Sequence, residues 1–292
     1  MVNLGSSSCT AQASRNSWHG KLNLDFVNCD GSTQISHSYS QAPWKLQRPF
    51  YPEGDRVCHS VLLHTAGGMV GGDRLTADIS LAEHSHALIT TAAAAKIYRS
   101  SGQESQQTTQ IQVAAGACLE WLPQETIIFD GAIYRQQTLI ELAPQAIWCG
   151  WEINRYGRTA RGESFLQGQV RSRTEVWQQG KPLWIDRQRL CGNADMWHSP
   201  HALANQPVVG SLAFIGQSVP STLVDQSRSL AHTIAQGEFG VTKLEQGMLC
   251  RYRGASSLEV RTWLIGVWQM LRISLMGRSA CLPRIWQHTP TN

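Results

Sequence analysis

The feature that most constrains this chain is a period-two alternation that recurs through its first two-thirds. Leu22, Leu24 and Phe26 alternate with Lys21, Asn23 and Asp25, and Ile35, His37 and Tyr39 follow after an Asp30-Gly31-Ser32 turn. Leu75, Ala77, Ile79 and Leu81 repeat the pattern, as do Ile111 and Val113, Leu119 and Trp121, then Thr138, Ile140 and Leu142. Side chains of a strand point alternately to its two faces, so this spacing predicts half-buried strands. Gln178 to Pro182 reads as a hairpin turn between Val176 and Trp184. The alanine run 92–95 favours a helix by propensity, but its shortness and the preceding Thr90-Thr91 make it strand or loop. No fixed period of 20 to 50 residues is visible, which argues against a repeat solenoid.

The character changes after about residue 218. Leu223, Val224, Leu230, Ala231 and Ile234 form a helical stripe closed by Gly237, and two strands follow around Glu245-Gln246-Gly247. Ser256-Ser257-Leu258-Glu259 has the form of a capping box, in which a Ser hydroxyl takes an orphan N–H and the Glu reaches back. Val260, Leu264, Val267, Trp268, Leu271 and Leu275 then share one face, and Gly277 closes the helix. Trp263, Ile265 and Met270 widen that face, which implies burial on two sides, either in this chain or under a partner. Many strands first and two helices late predict a mainly β protein with a small helical part. The expected boundaries are a disordered tail over 1–16, a single domain over 17–287 (β body to about 217, helical part 218–277) and a tail over 288–292.

The stretch Gly67-Gly68-Met69-Val70-Gly71-Gly72-Asp73 stands apart. Four glycines in six positions imply positive φ or another segment passing too close for a Cβ. The flanks read as strands over 57–63 and 75–81, so the glycines are a tight connection, in the plainest reading a hairpin. They do not form a phosphate cradle, because no helix follows them.

Composition excludes several classes. The net charge is +4 on 292 residues, too small for nucleic-acid binding by field strength alone. Residues 1–12 lack a basic start and an apolar core, so no export signal is read there. The eight cysteines are scattered and never spaced Cys-x-x-Cys, which disfavours a zinc ribbon, and without export they should stay reduced. The most apolar stretch, 258–276, contains Glu259, Arg261, Gln269 and Arg272, which a bilayer span tolerates poorly. These features predict a cytoplasmic protein.

No Gly-x-Ser-x-Gly elbow and no His-Glu-x-x-His occurs, so the chain is not expected to be an enzyme. His84-Ser85-His86 would place two imidazoles on one strand face, a weak metal candidate, and Cys58-His59 with His64 is weaker still. Glu125 follows a strand break at Pro123. Glu152 and Glu163 bracket Arg155, Arg158 and Arg161, either as a structural ion-pair network or as a polar interior surface. A Trp-rich carbohydrate-binding module and an unrecognised hydrolase are the competing readings.

Five motifs, in order, resemble the UreD (UreH) family of urease accessory proteins. They are Gly67 to Asp73; Thr91 to Tyr98 with Lys96; Trp121-Leu122-Pro123-Gln124-Glu125; Gly157 to Phe165; and Pro283-Arg284-Ile285-Trp286. The resemblance covers about 18–287. It implies a mainly β, elongated body with two helices, a helicoidal course being one option. It also implies a non-enzymatic role: with the F and G accessory proteins the chain would dock on apo-urease and support GTP-dependent nickel insertion, with self-association through that complex left open. It implies no stably bound cofactor, only transient Ni2+, and neither nucleic-acid nor membrane partners. Asp73, Lys96, Glu125, Glu152 and Glu163 are the expected transit residues, Arg158 and Arg161 their supports. Trp263, Trp268, Arg284 and Trp286 are the expected contacts for the F protein.

Overall fold

A computed structural model describes residues 17–234 and 236–286. The expected tails at 1–16 and 288–292 lie outside the described residues. The chain opens with a hairpin of β1 (His19–Cys29) and β2 (Ser32–Gln41), then a short β3 (Trp44–Leu46). Ten strands follow: β4 (Cys58–His64), β5 (Arg74–Leu81), β6 (His86–Thr91), β7 (Ala95–Ile97), β8 (Ser105–Val113), β9 (Cys118–Trp121), β10 (Thr126–Ile128), β11 (Ile133–Leu142), β12 (Ile147–Tyr156) and β13 (Gln169–Gln178). The remainder is β14 (Lys181–Cys191), α1 (Ala194–His198), β15 (Val208–Ile215), α2 (Ser221–Ile234), β16 (Glu238–Leu244), β17 (Gly247–Gly254) and α3 (Ser257–Met276).

The strands β4 to β13 wind as a solenoid. Successive long strands fall alternately in two sheets, ordered β14-β13-β11-β8-β5-β1-β2 and β16-β17-β15-β12-β9-β6-β4-β3. Coils stack in parallel: Cys58 pairs with Ala87, His86 with Cys118 and Cys118 with Ile147 in the larger sheet. The short strand β10 pairs in parallel with β7 on one side and with β12 on the other, a third ladder. This overturns the expectation that a repeat architecture is absent. The coils are unequal in length and each corner is built differently, so the backbone repeats while the sequence does not. Antiparallel strands close both ends, β2 and β14 on one sheet and β3, β15, β17 and β16 on the other.

The glycine stretch is such a corner, not a hairpin: it carries the chain from β4 in one sheet to β5 in the other. Met69 bridges to Ile97 on β7. Gly68 sits at φ +149°, and a Cβ there would lie 2.5 Å from the Lys96 carbonyl. At Gly71 a Cβ would lie 2.7 Å from the Gln103 carbonyl. The next coil therefore passes too close for a side chain at either position.

Two cores result. One fills the solenoid between the sheets, from Leu22, Leu24 and Phe26 to Ile140 and Val176. The other lies outside the larger sheet, where α2 and α3 cover Cys149, Trp151, Ile153 and Leu212. Ser256 Oγ caps α3 by accepting from Glu259 N, and Gly277 ends it with φ +63°. The second half of the expected capping box does not form. Glu259 instead accepts from the backbone of Gln236 and Gly237 and from Tyr252 Oη, tying α3 to the α2–β16 turn. The larger sheet and α2 cover two faces of α3 within this chain, with Trp263 Nε1 donating to Ser227 O of α2, while Leu258, Thr262 and Ile273 stay exposed. The five-residue α1, with Asn193 as its cap, was not foreseen.

Candidate functional site

The inward face of the smaller sheet explains a cavity inside the solenoid. In register, Leu24, Ile79, Ile111, Ile140 and Val176 form an apolar row that closes against the other sheet. In the next rows toward the strand starts β8, β11 and β13 turn polar, with Thr109, Thr138 and Thr174 in one and Gln107, Gln136 and Ser172 in the other. Such side chains do not close a dry core without partners. Above them lies a cavity of about 300 Å³, whose walls also include Trp121, Trp148 and Trp184. The exposed residues Gly67, Ala93 and Lys96 line it at one end. Glu152, Thr174, Asp186 and Ser211 line it deeper in.

Glu152 is the one carboxylate of the larger sheet that meets this space. Strand alternation sets it inward with Trp148, Gly150 and Asn154, while Cys149, Trp151 and Ile153 face the helices. Asn154 Nδ2 donates to it at 2.6 Å and Ser172 Oγ at 3.1 Å, and no cation pairs with it among the described residues. Burial pushes its carboxyl up, against the pull of Asn154 and Ser172, and the charge of Asp186 adds to the rise. Asp186 itself binds Arg251 at 3.0 Å. An acid with a raised folded-state pKa lowers stability above that range, and the penalty vanishes as pH falls below the unfolded value. Glu152→Gln should therefore melt higher than the parent at about pH 7.5 and converge with it near pH 4, the ordinary glutamate range. Thermal melts across that interval check this. A lower melt for the variant at neutral pH would mean that Glu152 is held as a paired anion.

The other expected transit residues fall elsewhere around the corner loops. Lys96 lines the outer part of the cavity. Asp73 is buried and accepts from Trp18 N at 2.9 Å and Val70 N at 2.8 Å, which fixes the glycine corner. Glu125 pairs with Arg261 of α3. Glu163 accepts from Arg158 Nε at 3.0 Å and from Asp130 N at 3.1 Å, holding the turn after β12. Burial pushes the Glu163 carboxyl up, but the hydrogen bonds from Arg158 and Asp130 outweigh it and hold the group below the usual range. Arg155 binds Ser257 Oγ and Thr159 Oγ1 rather than a carboxylate. Arg161 sits in the short 3-10 turn of Thr159–Arg161.

Four sequence expectations are corrected here. Trp263 and Trp268 are fully buried under α2 and against the larger sheet, so they offer no surface to a partner. Trp286 stacks on Trp151 at 5.2 Å and donates to Thr90 Oγ1, folding its segment back onto the sheet, while Arg284 beside it is exposed. The exposed apolar residues of α3 are Leu258 and Ile273. His84 lies in a turn at φ +59° and only His86 enters a strand, so they do not share a strand face. Among the described residues no three His, Cys, Asp or Glu side chains are placed to hold a metal ion. Among the described residues Trp18 is the one exposed tryptophan, so no row of tryptophans is presented to a polysaccharide.

Sequence reading missed a buried charge network outside the larger sheet. Arg272 of α3 is fully buried, with Nη2 2.7 Å from Glu53 and Nε 3.1 Å from Glu120, itself fully buried. His59 lies 2.6 Å from Glu53, His86 lies 3.5 Å from Glu120, and Trp268 Nε1 donates to Glu120. Burial pushes both carboxyls up, but these partners outweigh it and hold them below the usual range. The only signal was Arg272 within the most apolar stretch.

Among the described residues no helix is long and apolar enough to cross a membrane. Comparison with known proteins places the chain. The family model described as UreD urease accessory protein matches residues 19–287. A urease accessory protein UreD of Nostoc punctiforme is 58% identical, over 96% of this chain and 99% of its own length. That of Acaryochloris marina is 56% identical, over 92% and 95%. A more distant one, from a Janthinobacterium species, is 40% identical over 91% and 90%. With this cavity, these motifs and near full-length similarity, the chain belongs to the UreD family of urease accessory proteins.

Proposed function

We propose that the chain is a scaffold and metal conduit in urease maturation, docking on apo-urease together with the F and G accessory proteins and passing nickel inward during GTP-dependent loading. Family membership supports the maturation role. The conduit reading rests on one observation, the cavity inside the solenoid whose inner wall carries Glu152, which has no paired cation among the described residues. Nickel is cargo here, and cargo must leave. At an association rate of ~10⁶ M⁻¹s⁻¹ a micromolar site empties in about a second, while a picomolar site holds for days. Isolated carboxylates and hydroxyls suit the first regime, whereas a closed set of thiolates or imidazoles suits the second.

Co-expression of urease with and without this chain, under limiting nickel, tests the reading. Urease made without the chain should hold little nickel and show little activity. Full nickel occupancy and activity in its absence would end the proposal. Glu152→Ala should still assemble with its partners yet activate urease poorly. Loss of assembly would instead assign Glu152 to holding the fold.

A further inference from the structure

The outer face of the smaller sheet carries a basic ladder that the maturation role leaves unexplained. In one cross-strand row His19, Arg74, Gln106, Arg135, Arg171 and Arg189 stand side by side. The adjacent row runs from Lys21 to Arg173 and Arg187. Neighbouring strands lie only about 4.8 Å apart, and like charges directly opposite each other destabilise a sheet. Glu104 pairs with Arg135, and Glu175 serves both Arg173 and Arg187. Lys21, Arg74, Arg171 and Arg189 are exposed and have no ion pair among the described residues. Seven basic side chains thus meet two carboxylates, a surplus larger than the +4 of the whole chain.

We infer that this face docks a protein surface that presents a row of carboxylates. The rows that follow favour a protein over a polyphosphate. The next row holds Tyr39, Asp78, Leu139, Glu175 and Ile185. After it come Asp25, Glu141 and Trp177. A basic edge beside exposed Tyr39 and Ile185 and then an acidic edge has the mixed make-up of a protein interface. A nucleic-acid backbone crossing the same face would meet Asp78, Asp25 and Glu141. The ladder lies on the opposite side of the smaller sheet from the cavity, and its test requires no urease.

The test uses the full-length chain and fluorescence anisotropy with a labelled polyglutamate peptide, against a single-stranded oligonucleotide of the same length. R74E/R171E/R189E removes the ladder, and K45E/R48E/R56E makes the same charge change at exposed positions elsewhere. The peptide should bind the parent, weaken as salt rises, and lose at least roughly tenfold in affinity in the ladder variant but under about threefold in the control. Equal losses in both variants, no binding to the parent, or tighter binding of the oligonucleotide would each overturn the inference. The single variant Arg171→Glu supplies an independent readout. Set between Arg135 and Arg189, it should raise the melting temperature by about 1–3 °C. A fall would show that the row is already balanced within the chain, against the inference.

Discussion

Replacing Arg272 with alanine is expected to lower the melting temperature on the order of 10 °C, the largest stability effect of any single substitution proposed for this chain. The guanidinium is fully buried between Glu53 and Glu120. Removing it leaves two buried carboxylates without the guanidinium that lies between them. Breaking a buried pair in this way costs about 3–5 kcal/mol. The pH dependence distinguishes this from simple loss of packing. Glu53 and Glu120 have folded-state pKa values below their unfolded ones. Their contribution is therefore present above the unfolded carboxylate range and is lost as pH falls through the folded values. The gap between parent and variant should be widest near neutrality and narrow as the solution is acidified through the carboxylate range. Combining Arg272→Met with Glu53→Gln and Glu120→Gln should recover more than half of the loss, because an uncharged set has no desolvated ion to stabilise. A gap independent of pH, with no recovery in the triple variant, would place the effect in packing on Trp268.

Filling the cavity should give the largest functional effect. Thr138 is buried on the inward face of β11, in the middle of the polar rows. Thr138→Trp would add an indole to a space of about 300 Å³ without displacing the apolar row beneath it. If nickel passes through this interior, urease activation should fall close to that of cells lacking the chain, while the variant still co-purifies with its partners. Nickel content of urease from the co-expressing cells reads the outcome directly. Normal loading with a blocked cavity would remove the conduit and leave the scaffold. Overpacking destabilises by about 1–3 kcal/mol in a filled core. A melting temperature near the parental value would confirm that the indole entered open space.

Much of the site was legible along individual strands. Ile111 and Val113 were read as one face of a strand, and extending that alternation backward puts Gln107 and Thr109 on the same face. The polar lining was thus written in the sequence, but its meaning was not, because Thr109, Thr138 and Thr174 become one wall only when three coils stack in register. The glycine corner shows the same division. The glycines imply positive φ or a close approach, while the segment that approaches, around Lys96 and Gln103, lies a coil further on. Trp263 and Trp268 were read as a greasy flank for a partner because a helix wheel shows which residues are apolar, not which neighbour covers them. Here α2 and the larger sheet do so.

Local interactions, then, were determined by the sequence alone: the strand alternation, the Ser256 cap and Gly277 stop of α3, and the ordered motifs that carry the family. The tertiary structure decided the winding into a solenoid, the cavity with Glu152 in its wall, the burial of Arg272 between two carboxylates, and the arginine ladder across the outer sheet. Each of these depends on which residues far apart in the chain become neighbours. Strand alternation fixes which face a side chain occupies, and only the register between coils fixes what stands beside it.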